Sequence, residues 1–167
     1  RQAYLRPRKP LIVFTPKQLL RLKAAAPPVG AFTQAGWQPV IGDGAVPASG
    51  AVERVLLVSG RLYYDLLAEQ QRINDGKTAI VRVEQLYPLP AEEIAAELAK
   101  YPNAQVRWVQ DEPEYQGPWP FIALNLLPGL ERSVAVVSRP ASAATSTGSH
   151  KRHDEELKTI LVQAFQA

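Results

Sequence analysis

The chain has 167 residues, 46% of them hydrophobic and 21% charged, with a formal net charge of +3 and no cysteine. That length carries one domain with a proper core, and that balance is the one expected of a soluble globular fold. Disulfide and thiolate chemistry are excluded, no apolar run approaches the ~20 residues needed to span a bilayer, and nothing resembles a signal peptide.

Leu11-Ile12-Val13-Phe14 is a continuous apolar run, as expected of a strand buried on both faces. Thr15-Pro16 then suits an N-cap and first helical residue, with a short helix through Leu19, Leu20 and Leu22. Residues 24–50 are rich in Ala, Pro and Gly and read as a surface excursion, ordered only near Trp37 to Ile41, where an edge strand fits. Arg54 to Val58 is the second clear strand. Ser59-Gly60 breaks it, and a helix over 61–72 follows with Leu62, Leu66 and Ile73, flanked by Tyr63 and Leu67, as its apolar stripe.

Thr78 to Val83 is the third strand, and Pro88 and Pro90 lead into a helix over 91–101 with Ile94 and Leu98 inward. The fourth strand, Gln105 to Gln110, runs into Asp111-Glu112-Pro113-Glu114-Tyr115-Gln116-Gly117-Pro118. A short helix starts at Trp119. Val134 to Ser138 is the fifth strand, stopped by Arg139-Pro140, and 141–150 is a small polar loop. A final helix over 154–167 carries Leu157, Ile160, Leu161, Ala164 and Phe165 at helical spacing.

Strands alternating with helices across short turns specify an α/β fold: a three-layer α/β/α sandwich with a mostly parallel sheet of about five strands. Right-handed crossovers bring the strand carboxyl ends to one edge. That edge is expected to display Ser59-Gly60-Arg61, Glu84-Gln85, Asp111-Glu112 and Arg139. Such a rim is mixed in charge and is not an obvious catalytic pocket. The stretch from Trp108 to Trp119 fits either a recognition edge stiffened by aromatics and prolines or a solvated loop.

Catalytic motifs are missing. The chain has no G-x-G-x-x-G, P-loop, G-x-S-x-G or H-E-x-x-H pattern. Ser59 sits at a strand–helix turn like a nucleophile elbow, but Leu57 and Arg61 occupy the places of that motif's glycines, which sets a serine hydrolase aside. His150 and His153, beside Lys151 and Arg152, fit a solvated helix start better than a metal site. No catalytic or metal-ligating residue is therefore assigned.

Arg1, Arg6, Arg8, Lys9, Lys17, Arg21 and Lys23 precede the first acid, Asp43. A basic arm on a mildly acidic body suits an anionic ligand or an acidic neighbouring surface. Nucleic acid and membrane partners are not expected, since the body shows no basic face interleaved with aromatics. Methionine is absent, even at position 1, so a piece of a longer protein is expected.

Arg8-Lys9-Pro10-Leu11-Ile12-Val13-Phe14-Thr15-Pro16-Lys17 and Leu20-Arg21 resemble the opening of one family's C-terminal domain. The resemblance continues through Gln38-Pro39-Val40-Ile41-Gly42, residues 59–66 (SGRLYYDL), residues 79–88 (AIVRVEQLYP), Gln116-Gly117-Pro118-Trp119 and residues 138–143 (SRPASA). The family is that of the thiamine-dependent 2-oxoglutarate dehydrogenase component, a transketolase-like group. Arg61 stands where relatives often have Lys, Gln18 where Ser is usual, and Pro118 where Ala is common.

The resemblance implies a parent enzyme of the tricarboxylic acid cycle that decarboxylates 2-oxoglutarate on thiamine diphosphate with Mg²⁺. Both cofactors would be held by preceding domains, and the succinyl group would pass to an acyltransferase component. It implies a homodimer, a bacterial cytoplasm or mitochondrial matrix, and an isolated domain without activity. Arg1-Gln2 resembles the tail of the preceding domain, so 1–9 is expected as a basic arm and 10–167 as a single α/β domain. Actinobacterial-type relatives imply an effector site for acetyl-CoA, here Lys9, Arg61, Gln110 and Arg139, with Lys9 resting on the family alone. Salt bridges from both arginines to Glu84, Asp111 or Glu112 are the alternative for that rim. Asp111, Glu112, Tyr115, Gln116 and Trp119 are the expected interface. A free-standing module for a CoA-type or other anionic ligand is the competing function.

Overall fold

The computed structural model describes residues 4, 6–34, 36–46 and 51–166. Arg1, Gln2 and the 47–50 part of the excursion lie outside them. Two compact units are present, residues 1–35 and residues 36–167.

The larger unit is built on a five-stranded sheet in the order β1-β3-β2-β4-β5. Its strands are β1 (Val40–Ile41), β2 (Arg54–Val58), β3 (Thr78–Val83), β4 (Gln105–Pro113) and β5 (Val134–Arg139). The last four run parallel, while β1 caps the β3 edge antiparallel, with Val40 opposite Val83. The central strand β2 is buried along its whole length, as its unbroken Val-Leu-Leu-Val run requires of a strand covered on both faces.

Alternation along the strands divides the core in two. Val55, Leu57, Val81 and Trp108 face one layer, packed by Ile94 and Leu98 of α3 (Ala91–Ala99) and by Ile122 of α4 (Trp119–Asn125). Leu56, Val58, Ile80 and Val109 face the other layer. Leu62 and Leu66 of α2 (Leu62–Ile73) and Ile160 and Ala164 of α5 (His150–Phe165) close that side. Helices on both faces of a mostly parallel sheet make the expected three-layer α/β/α sandwich. No helix among the described residues is long and apolar enough to cross a membrane.

Several elements differ from expectation. Helix α5 begins at His150, where the Ser149 hydroxyl caps the Arg152 N–H. That hydroxyl is a local signal for an earlier start. On α2 the inward place expected for Ile73 is taken by Gln70, whose amide donates to the Thr78 carbonyl; Ile73 is exposed at the helix end, next to left-handed Asn74. Strand β4 runs three residues past Gln110, with a register shift between Val109 and Pro113 against β5.

The largest correction concerns Leu11–Phe14. In the unit of residues 1–35 the described residues form 3₁₀ turns at Lys17–Arg21 and Lys23–Ala25 and a short helix α1 (Gly30–Gln34), but no strand. All four residues of the apolar run are exposed, Phe14 to 95%. A strand exists only through a neighbour's hydrogen bonds, and here no backbone bond among the described residues reaches the run.

Candidate functional site

The sheet's connections define the site. After β2 the chain enters α2 on one face, whereas after β4 it enters α4 on the opposite face. The carboxyl ends of these adjacent strands therefore form a topological switch point, the usual crevice for ligands in open α/β sheets. Arg61 follows β2 and Asp111 lies on β4, and they meet there: Arg61 Nη2 donates to Asp111 Oδ2 at 2.7 Å.

Asp111 is the joint of a longer network. Its Oδ1 accepts from Arg139 Nη2 at 2.6 Å, and its carbonyl accepts from Arg139 Nε at 2.7 Å. Arg139 Nη1 donates to Glu156 Oε2 at 2.9 Å and to the His153 carbonyl at 3.1 Å. Glu156 Oε1 accepts from Arg152 Nε at 2.8 Å, and Asp65 Oδ2 accepts from Arg61 Nη1 at 2.6 Å. Three arginines thus face three carboxylates, joining α2, β4, β5 and α5.

The network tunes its members. Burial pulls the Arg61 guanidinium down, but the Asp111 hydrogen bond and the Asp65 and Asp111 charges outweigh it and hold it above the ordinary arginine value. Burial lifts the Asp65 carboxyl; Arg61 opposes this, and the Asp111 charge adds to it. Hydrogen bonds from Arg152 and then Arg139 keep Glu156 below its ordinary value against its burial.

Gln110, expected among effector contacts, has its amide engaged inside the chain. Its Oε1 accepts from the Trp108 indole N–H at 3.1 Å and from the Trp119 backbone N–H at 2.9 Å. Its Nε2 donates to the carbonyls of Pro113 and Gln116 at 3.0 and 2.8 Å. The side chain is 3% exposed and acts as a peg around which the 111–119 loop folds. Gly117 makes the last turn at φ +64°, close over the Glu112 side chain.

Of the other rim residues, Glu84 accepts from Arg82 Nε at 2.8 Å, and the Arg82 guanidinium stacks 4.5 Å from the Tyr63 ring centre. Gln85 accepts from the Trp37 indole N–H. Lys9 belongs to the other unit. Among the expected interface residues, Glu112 and Tyr115 are exposed and Trp119 packs against its own core. Gln116 donates to the Ser142 carbonyl, tying down the 141–148 loop. Asp65, Arg152 and Glu156 are the network members missed in the sequence. Their local signals are the i,i+4 pairs of Arg61 with Asp65 and of Arg152 with Glu156, but the reach of Glu156 to Arg139 is purely tertiary.

The model of the family described as 2-oxoglutarate dehydrogenase C-terminal matches residues 28–165. The chain belongs to that family. It is 40% identical over 161 residues to the 2-oxoglutarate dehydrogenase E1 component of Cupriavidus necator, covering 95% of this chain and 17% of that protein. Against the 2-oxoglutarate dehydrogenase E1/E2 component of Corynebacterium glutamicum it is 44% identical over 165 residues, 96% of this chain and 13% of the relative. Against the multifunctional 2-oxoglutarate metabolism enzyme of a Mycobacterium species it is 43% identical over 168 aligned positions, again 13% of the relative. The chain thus spans under a fifth of these relatives, and the resemblance seen in its motifs stands as membership of the 2-oxoglutarate dehydrogenase C-terminal family. Among the described residues no group of three or more His, Cys, Asp or Glu is placed to hold a metal ion. They do not fit a Mg²⁺-diphosphate cradle, and no chemical step through thiamine diphosphate follows from them.

Proposed function

We propose that this chain is the C-terminal part of a thiamine diphosphate-dependent 2-oxoglutarate dehydrogenase of the tricarboxylic acid cycle. In that enzyme it supports the fold and the homodimer rather than the reaction, while preceding domains hold the cofactor and Mg²⁺. An acyltransferase component takes the succinyl group. The observation that carries this reading is the closed charge network at the switch point, in a chain similar over nearly its whole length to proteins named for 2-oxoglutarate dehydrogenase. Every arginine there is matched by a carboxylate, which suits a joint between elements better than a proton-transfer site. The exposed Glu112 and Tyr115, on a loop stiffened by Gln110, are the surface offered to a neighbouring subunit. The test is the full-length gene product with 2-oxoglutarate, thiamine diphosphate, Mg²⁺ and an acyl acceptor. Turnover is expected, and a folded but inactive protein would overturn the reading.

A second reading, an anionic effector of the acetyl-CoA type, is favoured by one observation. Arg61 and Arg139 converge on a single carboxylate, so a phosphate could replace Asp111 as their shared partner. Clefts of about 320 and 210 Å³ flank Arg139, and Arg61 keeps 20% of its side chain exposed. Gln110 serves this reading by holding the loop. Calorimetry of the full-length dimer with acetyl-CoA decides: binding weakened by Arg61→Ala supports the effector, and no heat leaves the salt bridges alone.

A further inference from the structure

We infer that Leu11–Phe14 is a strand of the domain preceding this one in the same polypeptide, although it is carried on this chain. The inference rests on the reading of the chain as part of a larger 2-oxoglutarate dehydrogenase. Its first support is composition against exposure. In an extended conformation Leu11 and Val13 face one side and Ile12 and Phe14 the other, so both sides are apolar, the pattern of a strand covered on two faces. Yet the four side chains are 70, 76, 70 and 95% exposed, and among the described residues no hydrogen bond reaches their backbone.

The second support is where the family boundary falls. The C-terminal family begins its match at residue 28, well after this run. The Corynebacterium relative nevertheless matches 96% of the chain, so its similarity crosses residues 11–14 even if everything it omits lies at the amino end. The run is thus shared with relatives but lies outside the C-terminal domain they have in common. Those relatives continue for more than four-fifths of their length beyond the match. Because the matched domain is the C-terminal one, that remainder precedes it. The clustering of residues 1–35 apart from 36–167 agrees.

The flanks specify the kind of strand. Pro10 and Pro16 bracket the run and donate no backbone hydrogen bond, which limits it to a short strand between them. Arg6, Arg8 and Lys9 on one side and Lys17, Arg21 and Lys23 on the other leave residues 1–35 without an acid. The receiving edge is therefore apolar above and below the sheet and bordered by carboxylates. Addition of an extended segment to such an edge satisfies the bare backbone groups and covers all four side chains at once.

Hydrogen exchange read by mass spectrometry on the active full-length enzyme tests this. The amides of Ile12 to Phe14 are expected to exchange at least about 100-fold more slowly than those of the 3₁₀ turn Lys23–Ala25. A photo-reactive residue at Phe14 is expected to cross-link to the polypeptide preceding this chain. Rapid exchange in an enzyme that turns over 2-oxoglutarate removes the inference and leaves the function standing. So do cross-links to residues 36–167 or to a second copy of the run, or none at all. A full-length protein with a protected run but no turnover removes the proposed function and keeps the strand.

Discussion

At the scale of single residues, Gln110 shows how one buried amide can fix a loop that hydrophobic patterning leaves open. A buried carbonyl oxygen that accepts from both Trp108 and Trp119, and an amide nitrogen shared among loop carbonyls, replace a layer of secondary structure. Truncation strips the Trp108 and Trp119 N–H donors and the Gln116 carbonyl of this partner, while the Pro113 carbonyl keeps the Gln116 N–H, so the loss exceeds that of one hydrogen bond. Gln110→Ala is expected to cost about 3 kcal/mol in urea unfolding. Gln110→Glu, which keeps the acceptors but buries a charge beside carbonyl oxygens, is expected to cost at least as much. A Gln110→Ala midpoint equal to that of the parent chain would show that the loop is held by something else.

At the scale of elements, the same loop depends on its turn. Gly117 adopts φ +64°, and a Cβ there would lie 2.9 Å from the Glu112 side chain, Cβ included. Gly117→Ala is expected to cost about 1–2 kcal/mol from the left-handed backbone alone. Gly44→Ala, in open space and without a positive φ, is expected to be close to neutral, and equal effects of the two would refute the turn argument. This scale also shows what the sequence could reveal. The βα alternation, the unbroken apolar run of β2 and the inward Ile94 and Leu98 of α3 were legible, because each follows from local periodicity. The charges at the rim were legible as strand ends. Pairing of both arginines with a rim acid was one of two readings, and the structure shows it. That the acid is Asp111 rather than Glu84 or Glu112 was not legible, because Asp111 lies in a shift of β4–β5 register, and register shifts leave no local pattern. Leu11–Phe14 declared that it must be covered, but not by what.

At the scale of the whole molecule, ion pairs lock both ends of the sheet. At the carboxyl end Glu156 is held below its ordinary value by hydrogen bonds from Arg152 and Arg139. At the amino end, burial lifts Asp75, but the Lys77 N–H, Thr78 and Arg54 outweigh it and bring it below its ordinary value. A carboxyl lowered in the folded state binds its proton more readily when unfolded. Its stabilisation is therefore full above the ordinary carboxylate range and is lost as pH falls through that range toward the folded value. Asp65 works in the opposite sense, because burial raises it: its contribution is present at low pH and declines as pH rises past the ordinary aspartate value. Glu69 is also held below its ordinary value, by its hydrogen bond from Arg72. With three lowered carboxyls against one raised, stability is expected to hold near neutrality and to fall on acidification. Combining Glu156→Gln with Asp75→Asn is expected to lower the urea midpoint at about pH 7 and to flatten its decline toward about pH 3. If the double variant keeps the same acid slope as the parent, the two locks do not govern acid stability, and the network at the switch point has no part in holding α5 to the sheet.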